Sequence, residues 1–196
     1  MKRLVLALLV AACGGGNSPG GGDAAIDAPA HLDANADAAA SPLALTSPVL
    51  APSATFMTAN TCDGANASPQ LAWTGDAHDA QSFAVTLTDT SISLVHWVIY
   101  DIPAASTGLP ADVMKVYAPA NVAGAHQTDS YQAGMRGYLG PCPPQGGGAH
   151  TYQFAVYALD VAALPGASMS TTRAQAVPLI QQHMLATATL TGTYAR

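Results

Sequence analysis

The sequence contains no glutamate and little positive charge. All twelve of its acidic residues are aspartates, and charged residues make up only 9% of the 196-residue chain. Two of the six basic residues, Lys2 and Arg3, lie at the N-terminus. The remaining chain has four basic and twelve acidic residues, which gives a formal charge of about −8. No cluster of lysine and arginine occurs, which argues against nucleic acid as a partner and against attraction to anionic membrane surfaces.

Common catalytic and metal-binding motifs are also missing. Residues 42–196 contain no Gly-x-Ser-x-Gly segment, so they offer no nucleophile elbow of the hydrolase type. The chain has no His-x-x-x-His or Cys-x-x-Cys pair with the spacing of zinc ligands. Internal repeats are absent as well. These absences favour a binding protein over an enzyme of a familiar class.

The first twelve residues have the composition of a signal peptide. Lys2 and Arg3 precede an apolar run, residues 4–12, that is too short to span a bilayer. Small residues stand directly before Cys13, as in a bacterial lipobox. We therefore predict a lipoprotein signal peptide over residues 1–12 and lipidation of Cys13, with an ordinary secretory signal as the alternative. The protein would then be exported and lipid-anchored to the bacterial cell envelope, at the periplasmic face or in the outer membrane.

Residues 13–41 are rich in Gly, Ala, Pro and Asp and contain almost no large apolar side chains. Such a segment cannot bury enough apolar surface to offset the entropy lost on ordering, so we predict a flexible tether. Residues 42–196 are long enough for one domain with its own core. With Cys13 lipidated, Cys62 and Cys142 remain in an oxidising compartment. They predict a disulfide, with two free buried thiols as the alternative.

Strand-like segments dominate residues 42–196. Residues 82–88 alternate between apolar and polar, residues 94–102 are apolar on both faces apart from His96 and Asp101, and residues 151–159 form a third long strand. Shorter strands are predicted at 43–46, 55–57, 70–73 and 187–194. Ser170 or Thr171 is expected to cap one helix that runs to about residue 185, and Pro178 predicts a kink or a late start. The pattern predicts an all-β, antiparallel sandwich with one C-terminal helix followed by a short strand.

A stiff loop precedes the strand that begins near His150. Pro141, Pro143 and Pro144 restrict the backbone, and three glycines at 146–148 follow. Glycine amides next to His150 and Tyr152 would suit an anion. The same pattern also fits a plain hairpin connection, and this segment alone leaves both interpretations open.

Three segments together resemble the phosphatidylethanolamine-binding protein family, particularly its bacterial members, often called Raf kinase inhibitor-like proteins. They are Cys-Asp-Gly-Ala-Asn-Ala-Ser-Pro-Gln-Leu-Ala-Trp at 62–73, an Asp before His-Trp-Val-Ile-Tyr-Asp-Ile-Pro at 96–103, and Gly-Pro-Cys-Pro-Pro before His-Thr-Tyr at 140–152. The helix-then-strand ending at 183–194 is similar to the family's terminus. The likeness covers residues 43–196 in the expected order.

The resemblance implies a Greek-key β-sandwich of two sheets and a small anion site. Its ligand-binding residues would be Asp89, His96 and His150. The wall of the pocket would be formed by Tyr152 and by Pro141, Pro143 and Pro144. Two histidines near neutrality would each offer an N–H donor to a phosphate oxygen. No cofactor and no metal are implied.

The chain departs from the family pattern at two places. The family usually has Asp-Pro-Asp-Ala-Pro where this chain has Asp89-Thr90-Ser91-Ile92-Ser93, so the second acid is lost. Thr151 stands where some members carry arginine. Both changes predict an altered ligand range and weaker anion affinity.

These observations predict a membrane-tethered binding protein for phosphate or phosphorylated head groups, without chemistry of its own. The alternative is a protein-binding module that inhibits a protease through its proline-rich loop. Less favoured are a metal-dependent hydrolase, with Asp89, His96 and His150 as ligands, and a serine hydrolase using Ser68 or Ser91. His78 and His126 lie in polar segments and are expected to be solvated.

Overall fold

The computed structural model describes residues 41–196, which form nine strands, one α-helix (α1, Arg173–Gln182) and one 3-10 helix (Thr58–Asn60). The strands are β1 (Ala44–Thr46), β2 (Ala54–Thr55), β3 (Leu71–Thr74), β4 (Ser82–Asp89), β5 (Leu94–Pro103), β6 (Gly108–Leu109), β7 (His126–Gln127), β8 (His150–Leu159) and β9 (Met184–Tyr194). The predicted signal peptide, the lipidation site Cys13 and the predicted tether up to residue 40 lie outside the described residues.

The strands form two sheets. The larger has six strands in the order β2-β9-β8-β4-β5-β7, and the smaller has three in the order β1-β3-β6. All strand pairs are antiparallel except the two-residue pairing of β2 with β9, which is parallel. The predicted all-β fold with two sheets and a late helix followed by a strand is confirmed.

The six-stranded sheet is buried on both faces. On one face, β4 and β5 present Phe83, Val85, Leu87 and Trp97 to a core that includes Trp73 of the small sheet. On the other face, Ala84, Val98 and Tyr100 pack against Ala176 and Ile180 of helix α1. A strand covered on both sides needs apolar residues at every position rather than at alternate ones. This double covering explains why Trp97, Val98, Ile99 and Tyr100 of β5 are all apolar or aromatic.

Helix α1 starts late and ends early relative to the prediction. Thr172 is its N-cap residue, and the Gln175 side-chain oxygen accepts a hydrogen bond from the Thr172 backbone N–H at 3.0 Å. Pro178 lies inside the helix. The helix stops at Gln182 because the next residues join β9, which has 11 residues and is therefore longer than the short strand predicted. No helix within residues 41–196 is long and apolar enough to cross a membrane.

Candidate ligand-binding site

Adjacent strand ends bring the predicted site residues together. Asp89 ends β4 and lies directly opposite Tyr152 in the register of β4 with β8, while His150 begins β8. His150 Nδ1 lies 2.7 Å from Asp89 Oδ2, and the two side chains are 13% and 2% exposed. The carboxylate can only accept, so Nδ1 carries the proton and Nε2 is left without one in the neutral ring.

His96 reaches the same place through a β-bulge. Leu87 pairs with Trp97 and Thr88 pairs with Val95, so His96 is the extra residue on β5. A bulge changes the direction in which a side chain projects, and bulges are frequent next to functional sites. The His96 ring lies 5.4 Å from the Tyr152 ring, edge to face. We call Asp89, His96, His150 and Tyr152 the histidine site.

The protonation of His96 is set by backbone carbonyls. Its Nδ1 lies 3.1 Å from the Leu139 carbonyl oxygen and 3.2 Å from that of Gly140. Both neighbours only accept, so Nδ1 is the donor, and Nε2 has no partner within residues 41–196. Burial lowers the pKa of His96, which favours the neutral ring. Each neutral ring donates its single N–H to the protein, so a ligand would receive an N–H from Nε2 only when the ring is protonated.

Tyr152 supplies a donor that the protein satisfies poorly. The side chain is completely buried, and its hydroxyl makes no hydrogen bond of standard geometry within residues 41–196, although the Asp89 carboxylate and the Cys142 backbone lie close enough to influence its pKa. Burial raises the pKa of the Tyr152 hydroxyl, and the nearby Asp89 carboxylate raises it further. The hydroxyl therefore stays protonated. An unpaired buried hydroxyl costs free energy, which a bound acceptor would recover.

The proline loop is fixed to the segment that contains Cys62. Cys62 and Cys142 form the predicted disulfide, and the Cys62 backbone N–H donates to the Pro141 carbonyl at 3.1 Å. Pro141 and Pro143 are buried, while Pro144 is exposed. Only the last of the three predicted wall prolines is therefore open to solvent, and the loop acts mainly as a support.

The loop begins with a glycine, Gly140, because its backbone lies very close to a neighbouring segment. Its N–H donates to Asn66 Oδ1 at 2.8 Å, while its carbonyl faces His96. A Cβ at this position would lie 2.0 Å from the Asn60 carbonyl oxygen. Only glycine permits this close backbone approach. Asn66 thus positions the carbonyl that orients the His96 ring.

Two arginines flank the site, and sequence reasoning did not identify them. Arg196 pairs with Asp63 at 2.8 Å, and this hydrogen bonding lowers the pKa of Asp63. Arg173 lies 3.8 Å from Asp129. The Tyr131 ring lies 4.4 Å from that of His96. Burial raises the pKa of the Tyr131 hydroxyl; the charges of Arg196 and Arg173 oppose that shift, and the charge of Asp89 adds to it. No local pattern marks Tyr131, since only the folded chain brings it to His96.

The other histidines lie elsewhere. His126, expected to be solvated, is instead half-buried in β7, with Nδ1 2.9 Å from Asp101 Oδ2 and its ring stacked on Tyr117 at 4.6 Å. His78 is 58% exposed, as expected, and pairs with Asp76 at 3.2 Å. Within residues 41–196, no three His, Cys or Asp side chains are grouped as metal ligands.

The sequence and the fold both match known proteins. The "UPF0098 protein" of Methanothermobacter thermautotrophicus is 39% identical over 145 residues, covering 69% of this chain and 87% of its own length. The "Putative lipoprotein LppC" of Mycobacterium tuberculosis is 35% identical over 150 residues, covering 74% of this chain and 69% of its own. The crystal structure of Escherichia coli YbcL, described as "a new member of the mammalian PEBP family", superposes with a TM-score of 0.71 at 30% identity, covering 79% of this chain and 98% of that one.

The sequence profile of phosphatidylethanolamine-binding proteins matches residues 46–195. That range contains every strand except the start of β1, together with all four residues of the histidine site. The chain therefore belongs to the phosphatidylethanolamine-binding protein family.

Proposed function

We propose that this protein binds small anions, phosphate or a phosphorylated head group, at the histidine site, without chemistry of its own. The observation that carries the proposal is the Tyr152 hydroxyl, which is buried beside the two histidines without a hydrogen bond of standard geometry. The Tyr152 hydroxyl, His96 Nε2 and His150 Nε2 are the three groups that could contact a ligand. When the rings are protonated, all three donate, as an anion requires.

The hydrogen bonding of the described histidines supports binding rather than nucleophilic catalysis. His96 bonds to two carbonyls, and the other four described histidines pair with aspartates: His78 with Asp76, His126 with Asp101, His150 with Asp89 and His183 with Asp160. Within residues 41–196, none of these rings is hydrogen-bonded to a serine, threonine or cysteine side chain. A nucleophile activated by a histidine needs such a contact.

The anion test is a titration with inorganic phosphate, followed by the histidine NMR signals and by calorimetry. We expect the His96 and His150 signals to shift on binding. In Tyr152→Phe, affinity should fall about tenfold or more, because one hydrogen bond to a charged ligand is lost. Stability should change little, since the hydroxyl makes no hydrogen bond of standard geometry to the described residues. Tyr157→Phe, on the same strand, is the matched control. The absence of any shift at His96 and His150 would overturn the proposal.

The proposal includes a lipid anchor on Cys13. Its support is the lipobox-like sequence before Cys13 and the name of the mycobacterial relative, a putative lipoprotein. Several acyl chains on one cysteine hold a protein stably at a membrane, whereas one chain does not. The test is membrane fractionation of cells that express the full chain. Cys13→Ser should move the protein to the soluble fraction, and equal membrane retention of both forms would contradict the anchor.

A further inference from the structure

The ring of Tyr131 lies against the ring of His96. The two ring centroids are 4.4 Å apart, and the ring planes are tilted by 57°. Tyr131 is half-buried and belongs to a hairpin loop whose ends, Asp129 and Arg136, are joined by an antiparallel bridge. The Arg136 guanidinium anchors that end of the loop by donating to the Gln127 carbonyl oxygen at 2.7 Å. Contacts at the base of the loop therefore hold Tyr131 beside His96.

His96 can donate a hydrogen bond to an anion only when its ring is charged. Its Nδ1 hydrogen is already donated to the Leu139 and Gly140 carbonyls, so Nε2 carries a hydrogen only in the imidazolium form. His96 is 2% exposed, and a charged ring at this position loses most of its hydration. Anion binding at His96 therefore depends on groups in the protein that stabilise the imidazolium.

The charged groups around His96 act in opposite directions. Burial lowers the pKa of His96, whereas the two backbone carbonyls and the Asp89 carboxylate of β4 raise it, and the Arg173 guanidinium at the start of helix α1 lowers it. His150 of β8 also belongs to the site and would oppose a second positive charge when it is itself protonated. Among these side chains, Asp89 alone carries a negative charge that favours a protonated His96.

Two tyrosine rings also border His96. Tyr131 is the nearer, and Tyr152 meets the His96 ring edge to face at 5.4 Å. Burial raises the pKa of both tyrosine hydroxyls, so both side chains stay neutral near pH 7. An aromatic ring attracts a cation that lies within about 6 Å of its centroid, and the attraction grows when water is excluded. The Tyr131 ring lies within that range of the His96 ring.

We infer that the Tyr131 ring stabilises the protonated His96 ring and thereby strengthens anion binding at the histidine site. Tyr131 is a positioning residue, because it acts on the anion through His96. The inference rests on the proposed function, because it concerns the anion bound at that same site. Its physical cause, the contact between the two rings, can be measured separately from binding.

The experiment measures the pKa of His96 by NMR in a chloride buffer and the binding of sulfate by calorimetry at pH 7.5. Tyr131→Leu keeps apolar bulk but removes the aromatic ring, so the pKa of His96 should fall. Sulfate binding should weaken about two- to fivefold, which corresponds to 0.5–1 kcal/mol. Tyr131→Phe keeps the ring, so its His96 pKa and its sulfate affinity should remain close to those of the unmodified protein.

The pH dependence of the loss distinguishes this role from a structural one. Above the His96 pKa, sulfate binding is coupled to the uptake of a proton by His96, so a lower pKa weakens binding. Below the His96 pKa of both proteins, the ring is protonated before sulfate binds, and the loss in Tyr131→Leu should shrink. Tyr117→Leu is the matched control, because Tyr117 stacks on His126 at 4.6 Å, outside the histidine site. It should alter neither the His96 pKa nor sulfate binding.

The possible outcomes separate the two proposals. If neither sulfate nor phosphate binds, the proposed function is overturned, while the His96 pKa in Tyr131→Leu still tests the effect of the ring. If sulfate binds but Tyr131→Leu leaves the His96 pKa unchanged or higher, the inference is overturned and the anion site stands. Equal changes of that pKa in Tyr131→Phe and Tyr131→Leu would also overturn the inference, because the aromatic ring would then not be the cause.

Discussion

His150 and Asp89 join neighbouring strands by a hydrogen bond of 2.7 Å between Nδ1 and Oδ2. Asp89 is the last residue of β4 and His150 the first of β8, so the contact closes one end of the sheet. The bond fixes which nitrogen of His150 carries its proton and leaves Nε2 to a ligand. One carboxylate thereby orients a ring that the proposed anion would contact.

Replacing Asp89 by asparagine should destabilise the fold and weaken anion binding. The change removes a buried, charge-assisted hydrogen bond, worth about 1.5–3 kcal/mol, which urea denaturation would measure. Asp160→Asn is the matched control, because Asp160 makes a similar 2.8 Å contact with His183 but is 51% exposed. It should cost less than about 1 kcal/mol. Equal losses in the two variants would contradict the role assigned to burial.

Acidification should destabilise the unliganded protein through His96. Burial lowers its folded-state pKa below the unfolded value of about 6.5, so the unfolded chain binds the additional proton. The stability that neutral His96 contributes is complete above pH 6.5 and is lost as pH falls toward the folded-state pKa. His96→Gln should show a smaller loss of thermal stability between pH 7.5 and 5.5 than the unmodified protein, with His78→Gln as the exposed control.

Sulfate should reverse part of that loss, because an anion favours the protonated ring. It is a suitable probe because it keeps the same charge across this pH range. We expect sulfate to raise the unfolding temperature more at pH 5.5 than at pH 7.5, and His96→Gln to reduce the difference. A stabilisation by sulfate that is independent of pH would show that His96 protonation is not linked to binding.

Removing the disulfide should loosen the support of the histidine site. Cys62 and Cys142 are 80 positions apart in the sequence, and loss of a native disulfide usually costs about 2–5 kcal/mol. The variant Cys62→Ala/Cys142→Ala should lose that amount in urea denaturation. It should also bind phosphate more weakly, since the Leu139 and Gly140 carbonyls that orient His96 precede Cys142. Peptide mapping of unreduced, denatured protein should show neither cysteine alkylated, and alkylation of both would refute the bond.

Gly140 should not tolerate a side chain. Its Cβ would lie 2.0 Å from the Asn60 carbonyl oxygen, so Gly140→Ala must move backbone on one side of the contact. We expect a loss of about 3 kcal/mol, the upper end of the usual overpacking range, together with weaker phosphate binding. Gly134→Ala is the control: its Cβ meets nothing within 4 Å, and its φ of +79° costs about 1–2 kcal/mol of backbone strain. A smaller loss at position 140 than at 134 would contradict the close approach.

The long strands could be predicted from sequence because their pattern is local. Residues 82–88 and 94–102 were each placed within a residue of the observed strands, since alternation and a continuous apolar run report burial directly. The two-residue strands β6 and β7 could not be predicted, because each exists only through pairing with a partner distant in sequence. His126 was misjudged for a related reason: Asp101 and Tyr117 surround it only in the folded chain.

The sequence by itself determined the all-β class, the order of the strands along the chain, the pair of cysteines and the residue types of the histidine site, because periodicity and short motifs are properties of neighbouring residues. The tertiary structure decided how those residues function. Only the β4–β5 bulge turns His96 toward Tyr152, only backbone carbonyls from a distant loop fix its proton, and only packing leaves the Tyr152 hydroxyl without a hydrogen bond of standard geometry. Such features depend on contacts between segments far apart in the chain, which no local pattern encodes.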